Sequence, residues 1–276
     1  MDELKKNPAN RGNLTVPSEL NFLAPLIVGE LVRIGNLNDG GYVIPKRSIL
    51  EVDTLVSLGV STDWSFDEHF KRLNPRLQIH AYDHTISEKF FRRRVRRKIL
   101  PFLLRKIPRS DFTERLRALR SYRTFFSGDV KHFAERIHNR ADTPRDATLD
   151  RVFARTNSSK IFLKIDIEGS EYRIVDSILK YVDRIEGIVI EFHNTDPLRE
   201  VFCKAVKKLQ TKFDVVHVHG NNYEPVAEDN LPEVLEVTFA KAEAVRGGDR
   251  RYLLPLPGLD NPNDPARPDY AMQFSL

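Results

Sequence analysis

The chain has 276 residues, 41% of them hydrophobic and 30% charged, with a formal net charge of +5 and a single cysteine. That length fits one large α/β domain, or one domain with an insertion, and the apolar share supplies a sizeable core. One cysteine excludes an internal disulfide framework and fits a reducing compartment, so a cytoplasmic protein is expected.

Residues 1–13, MDELKKNPANRGN, carry no apolar stretch behind their lysines, so no signal peptide is read there. Residues 20–34 are the most apolar early stretch, but Glu30 and Arg33 interrupt it and it is too short to span a bilayer. The charge is unevenly placed. Residues 89–123 hold 14 of the 44 Lys and Arg and 2 of the 39 Asp and Glu, a local net of +12; the remaining 30 basic and 37 acidic residues leave −7 elsewhere. A mildly acidic domain with one very basic segment points to a single local anionic partner and not to general nucleic-acid binding.

In chain order, residues 1–17 read as a flexible arm and 18–32 as a helix covering the sheet, so 1–32 form an N-terminal arm and helix. The main domain spans 33–254. Asp39-Gly40-Gly41 is a turn signal before a short strand at Tyr42, Val43 and Ile44. Residues 54–59 (TLVSLG) form a first central strand, 65–73 a helix, and 78–83 (QIHAYD) a second strand. The basic insertion 89–123 is helical in pattern, 124–129 (TFFSGD) a third strand and turn, and 148–155 a short helix. Strands then follow at 161–166, 187–191, 214–219 and 234–240, with helices at 171–182 and 198–209. Cys203 sits at helical spacing in the last of these and reads as a core residue. The link between the last two strands is too short for a helical crossover, so they pair antiparallel at the edge of a mostly parallel sheet. The tail 255–276, rich in Pro, Asp and Asn, reads as irregular.

Ligands of open α/β sheets bind beyond the carboxyl ends of the strands. The first strand ends in Gly59, followed by Ser61, Asp63 and Ser65, with none of the further glycines of a pyrophosphate cradle. That argues against NAD and FAD and is compatible with a ligand that has no phosphate; a plain turn with Asp63 or Ser65 capping the next helix is the alternative. Asp83, 24 residues after Gly59, stands where an acid binds a ribose diol. Later strand ends carry Asp166, then Glu191, His193 and Asn194, then His217, His219, Asn221 and Asn222. Such groups would deprotonate a hydroxyl or hold a divalent ion. Glu168 and Glu171 stand beside them and would otherwise serve the N-terminus of the following helix.

The block KIFLKIDIEGSEYRIVDSI resembles the K-[IV]-D-[IV]-E-G-x-E motif of FkbM-type S-adenosylmethionine-dependent methyltransferases. RIGNLNDGGYVIP, LVSLGVSTDWSFDE, IHAYDHT, IVIEFHN and VVHVHGNNY extend the resemblance from about Arg33 to Ala240. It implies a class I methyltransferase (Rossmann-like) fold, an α/β, mostly parallel seven-stranded sheet with an antiparallel C-terminal hairpin. It also implies methyl transfer to an oxygen, with a sugar, glycan or glycolipid as acceptor. In that reading Gly59 and Ser61 line the cofactor's methionine end, Asp63 belongs to the same cofactor site, and Asp83 takes the ribose. Asp129 meets the adenine, and Asp39 and Gly40 lie near the amino-acid portion. Asp166, Glu168, His193 and His219 form the catalytic set. Catechol-type methyltransferases use an acid after the fourth strand and Asp-Asn after the fifth; here Asp166, His193 and Asn194 take those places. A histidine where an acid stands weakens a magnesium site and leaves a borderline divalent metal or a plain histidine base. Two departures stand out: the sparse glycines of the first turn, and the insertion 89–123, which lies outside the family's general pattern. The insertion would engage an anionic membrane surface or a phosphate-bearing glycan, or form a solvated lid. Methylation of another small molecule, such as a polyketide hydroxyl, stays open. So does a non-catalytic methyltransferase-fold module docking on a membrane or on nucleic acid, the last disfavoured because the insertion's aromatics look core-facing.

Overall fold

Residues 161–165 are buried at every position, as a central parallel strand covered on both faces requires. Alternation along it divides two cores. Ile161, Leu163 and Ile165 join one with Val56, Leu58, Ile188 and Ile190; Phe162 joins the other with Leu55, Ile79 and Val189. The structure, a computed structural model, describes residues 13–241 and 248–275; residues 1–12 of the expected arm lie outside the described residues.

The chain begins with β1 (Asn13–Thr15), β2 (Leu31–Ile34) and β3 (Tyr42–Pro45), then α1 (Lys46–Leu50), β4 (Thr54–Leu58), α2 (Ser65–Leu73) and β5 (Gln78–Tyr82). The basic segment forms a helical hairpin, α3 (Glu88–Leu103) and α4 (Arg109–Phe125). After it come β6 (Val130–Phe133), β7 (Arg136–Ile137), β8 (Asp146–Ala147), α5 (Leu149–Ala154) and β9 (Ile161–Ile165). The last part holds α6 (Val175–Lys180), β10 (Ile185–Phe192), α7 (Arg199–Leu209), β11 (Phe213–Gly220), β12 (Leu235–Lys241), β13 (Leu253–Leu254) and β14 (Ala271–Gln273). The central sheet has seven strands in the order β11-β12-β10-β9-β4-β5-β6, and only β12 runs against the rest. This is the class I methyltransferase arrangement, with the antiparallel hairpin expected from the short β11–β12 link.

Four local expectations are corrected. Residues 18–32 do not form a helix: a 3-10 turn (Ser18–Leu23) ends before Pro25, which has no N–H to continue it, and the chain then extends into β2. β2 pairs with β3 across the Asp39-Gly40-Gly41 turn. Residues 124–129 are not a strand: α4 runs through Phe125, Gly128 turns the chain at φ 61°, and β6 starts at Val130. The helix expected at 171–182 is broken. Glu171–Arg173 is a 3-10 turn where the Glu171 carboxylate folds back onto the preceding loop, and the α-helical part is Val175–Lys180. The tail is not irregular throughout. Its β14 pairs in parallel with β1, which also removes residues 13–15 from the arm, and antiparallel with β13.

Candidate active site

The carboxyl ends of β4, β5, β9 and β10 lie side by side, and the reversed β12 brings its amino end to the same edge. Gly59 ends β4 at φ 80°; a Cβ there would stand 1.6 Å from the Asp166 carbonyl oxygen. The glycine is therefore required by the crossing of two strand-end loops, and its own carbonyl accepts from Lys164 Nζ at 3.0 Å. Three non-glycine residues on adjoining loops hold left-handed backbone: Ser61 (φ 50°), Glu168 (φ 54°) and Asn194 (φ 57°). Strain of this kind persists only where surroundings over-determine it, and it gathers at functional sites.

Asp83, directly after β5, ties the first loop down. Its Oδ2 accepts from the Ser61 N–H at 2.7 Å, and its Oδ1 accepts from the Thr85 N–H and hydroxyl at 2.6 and 2.5 Å. Burial works against the charged form, but these bonds outweigh it and hold the carboxyl below its ordinary pKa. An ionised acid with spare lone pairs thus faces the β4 turn, the chemistry a ribose diol needs. Asp63 is engaged locally: it accepts from Asn36 Nδ2 at 2.6 Å and from the Ser65 N–H at 2.9 Å. Gly40 packs on that carboxylate, since a Cβ there would meet Asp63 Oδ2 at 2.7 Å. Asp39 is pushed above its ordinary pKa by burial and by the charges of Glu236, Asp166 and Asp63, so it belongs to the same acidic neighbourhood.

Asp166, Glu168 and His193 converge, each with one ligand-type atom within 4.8 Å of the others. His193 Nε2 lies 3.5 Å from Glu168 Oε2, and Nδ1 lies 3.2 Å from Glu171 Oε1. Glu171 is 1% exposed, and the same oxygen also accepts from the Ile167 and Gly169 N–H groups at 3.0 and 3.1 Å. The Glu171 carboxylate therefore fixes the loop and the imidazole together; it does not cap a helix. Burial lowers the His193 pKa, but the Glu171 hydrogen bond and the charges of Glu171, Glu191 and Asp166 overcome that and push it up to about 9. Asn194 Nδ2 turns toward Gly169, where a Cβ would sit 3.3 Å from it, at the rim of this cluster.

Behind the cluster lies a buried polar layer, in which the sequence pointed to Glu191 and Asn221 but not to Lys164, Asp67 or the Tyr42 hydroxyl. Lys164 Nζ is 3.5 Å from Asp166 Oδ2 and 5.4 Å from the centre of the Tyr42 ring. Burial pulls its pKa down, yet Asp166, Asp67 and Glu191 outweigh that and raise it. Asp67, buried near it, is pushed by desolvation to about 6. Glu191 accepts from the Tyr42 hydroxyl at 2.8 Å and from Asn221 Nδ2 at 2.9 Å; burial and the nearby acids Asp166 and Glu236 push it up to about 8. A lysine inside an otherwise apolar strand was the available signal for Lys164. Nothing local marked Tyr42, whose partner lies 149 residues away.

Two expected site residues stand elsewhere. Asp129 precedes β6, so it lies at the amino edge of the sheet. Its carbonyl accepts from the Ile79 N–H and its carboxylate is 3.8 Å from Lys71, which removes it from the adenine position. The cause is the register error at 124–129. His219 does not join Asp166 and His193. It sits on β11, three strands and roughly 14 Å from β9. It is 1% exposed and held between Glu236 (3.3 Å) and Asp269 (3.0 Å). His217 is likewise held by Asp260 at 3.0 Å. The C-terminal tail supplies both aspartates, so these histidines anchor the tail.

Residues 109–224 match the family described as Methyltransferase FkbM domain. No curated protein matches the chain. Among solved structures it is similar to fibrillarin of Aeropyrum pernix with natively bound S-adenosyl-L-methionine, at 11% identity over 80% of this chain and 86% of that one, with a TM-score of 0.37. It is also similar to the fibrillarin pre-rRNA processing protein of Methanococcus jannaschii (11%, 70% and 68%, 0.37) and to precorrin-6y C5,15-methyltransferase of Geobacter metallireducens GS-15 (16%, 71% and 84%, 0.33). Likeness at that level carries no argument; the strand order and the family match do. The matched span takes in α4, the β9 and β10 loops and β11, and leaves Asp39, Gly59 and Asp83 to the wider resemblance. Residues 109–224 thus match a methyltransferase FkbM domain, on a chain whose strand order is that of the class I methyltransferase fold.

Proposed function

We propose that the protein transfers a methyl group from S-adenosylmethionine to a hydroxyl of a sugar or glycan. The observation that carries this reading is the pairing, along one sheet edge, of the Asp83-braced turn with the Asp166, Glu168 and His193 cluster. S-adenosylmethionine would supply an electrophilic methyl on sulfur and leave as the neutral thioether. Asp83 would hold its ribose hydroxyls, with Ser61 and Asp39 toward its other end. An acceptor hydroxyl taking that methyl would have to give its proton to a base. His193 would serve as that base. Glu171 occupies Nδ1, so Nε2 is the nitrogen turned toward Glu168 and the acidic cluster. At a pKa of about 9 the imidazole must first lose its proton, so turnover should rise with pH toward that value.

Two carboxylates and an imidazole also form a donor set that fits a divalent ion. Asp166, Glu168 and His193 would hold it, with Asn194 at the rim, and it would acidify a bound hydroxyl. The test is transfer of isotopically labelled methyl from S-adenosylmethionine to a panel of sugars, lipid-linked glycans and non-sugar hydroxyl compounds, with and without chelator. Labelling of sugar hydroxyls supports the reading. Labelling confined to non-sugar compounds, or to nitrogen or carbon, refutes the acceptor class. Full turnover in chelator refutes the metal version and leaves His193 as base.

A further inference from the structure

The helical hairpin α3–α4 stands on the edge of the domain next to the β5 end, rooted by an aromatic cluster. Trp64 packs on Phe91, Tyr122, Phe125 and Phe126 at ring distances of 5.3–6.4 Å. That root uses the inward faces of both helices. The outward face of α3 has a different composition. At about 100° per residue, its exposed positions from Arg92 to Leu103 fall within roughly half the helix circumference. The first half of that face is Arg92, Arg93, Arg96 and Arg97. The second half is Ile99, Leu100 and Leu103, followed at the helix end by Leu104, which are 42%, 64%, 69% and 55% exposed. The basic residues whose charge is used internally are others: Lys98 and Arg115 pair with Asp111, and Arg123 pairs with Glu88. Among the described residues, Arg92, Arg93, Arg96 and Arg97 have no ion-pair partner.

We propose that the tip of this hairpin docks on an anionic lipid bilayer, with Leu100, Leu103 and Leu104 entering the acyl boundary and the α3 arginines lying on lipid phosphates. The spacing fits. Arg96 stands about 10 Å along the helix axis from Leu103, and interfacial helices bury their apolar face by about 5–10 Å. Charge selects the surface, because the segment carries a net +12 on a domain that is otherwise acidic. The same charge disfavours a second copy of the chain on this face. The exposed apolar groups between the arginines are aliphatic, whereas the hairpin's aromatics turn inward, Phe102 stacking on Phe112 at 4.5 Å. A nucleic-acid platform needs the reverse. Among the described residues no helix is long and apolar enough to cross a membrane, so the contact is peripheral.

The experiment is flotation of the purified chain with phosphatidylcholine vesicles, with and without phosphatidylglycerol, at low and physiological ionic strength. It needs no turnover, so its result is independent of the methyltransferase reading. The wild type should float only with the anionic vesicles, and less at the higher salt. Replacing Arg92, Arg93, Arg96 and Arg97 together with glutamine should abolish flotation. The triple change Leu100→Ser, Leu103→Ser and Leu104→Ser should weaken it at least about tenfold at unchanged charge. All of these side chains are exposed, so both variants should keep the wild-type thermal transition. Equal binding to neutral vesicles, or no binding to either, overturns the proposal. Wild-type flotation in the leucine variant, with displacement by single-stranded RNA, also overturns it and assigns the face to nucleic acid.

Discussion

Replacing Glu171 with glutamine removes one charge from a buried carboxylate while keeping its shape and an oxygen that accepts from the Ile167 and Gly169 N–H groups. What it takes away is the electrostatic grip on His193, 3.2 Å distant. That imidazole is held at about 9 against an ordinary 6.5, although its burial alone would lower it. The difference corresponds to about 3 kcal/mol favouring the imidazolium, and the Glu171 hydrogen bond and charge are its largest favourable sources. In Glu171→Gln the His193 pKa should therefore fall toward or below 6.5. Titration of the His193 ring followed by NMR in chelator-containing buffer reads this without substrate. Stability should follow with a definite sign. A histidine raised in the folded state stabilises fully below about pH 6.5, and the contribution is lost as pH climbs through 9. Denaturation midpoints of the wild type should decline across that window, and those of Glu171→Gln should decline less. A His193 pKa that stays near 9 in the variant would show that Glu171 does not set it, and the positioned-base reading would lose its support.

The remaining predictions concern the loops and the tail. Gly59→Ala places a methyl 1.6 Å from the Asp166 carbonyl oxygen at a left-handed position, so it should destabilise by roughly 3 kcal/mol and displace the Asp166 loop. A wild-type denaturation midpoint in that variant would contradict the loop crossing. His219 is lowered by burial but raised further by Asp269 and Glu236, to about 10. Its contribution, on the order of a few kcal/mol, is present below pH 6.5 and is lost as pH rises toward 10. His219→Gln should flatten that fall, and an unchanged pH slope would remove the tail anchor from the account. Removing Asp260 and Asp269 from the tail should loosen it without shifting His193, which calorimetry and the same NMR titration would separate.

The central strands were legible because burial on both faces writes largely apolar runs, as in residues 54–58 and 161–165. The antiparallel hairpin followed from the length of one connection, but its reversed strand, β12, is not the edge strand expected: it lies between β11 and β10. Elements whose limits depend on tertiary context were not legible. The α4 helix absorbed Thr124 and Phe125 because Phe125 and Phe126 complete the cluster around Trp64, and a β-rich hexapeptide gave no hint of that. Asp129 was misplaced for the same reason. The convergence of Asp166, Glu168 and His193 was legible because all three follow strand ends of the sheet's centre. His219 met the same rule on β11, but its ends are covered by aspartates 260 and 269, whose approach no local pattern announces. Glu171 read as a helix acid because its three partners lie on the preceding loop and on β10's end, within reach only after folding.

Calorimetric titration of the purified chain with S-adenosylmethionine, against NAD and against the variant Asp83→Ala, tests the central claim most directly. Expected are one S-adenosylmethionine per chain, no heat with NAD, and binding weakened by about tenfold or more in Asp83→Ala, where charge-assisted hydrogen bonds to the ribose are lost. Its contradiction would be the absence of S-adenosylmethionine binding in the folded wild type, or equal affinity in the Asp83→Ala variant.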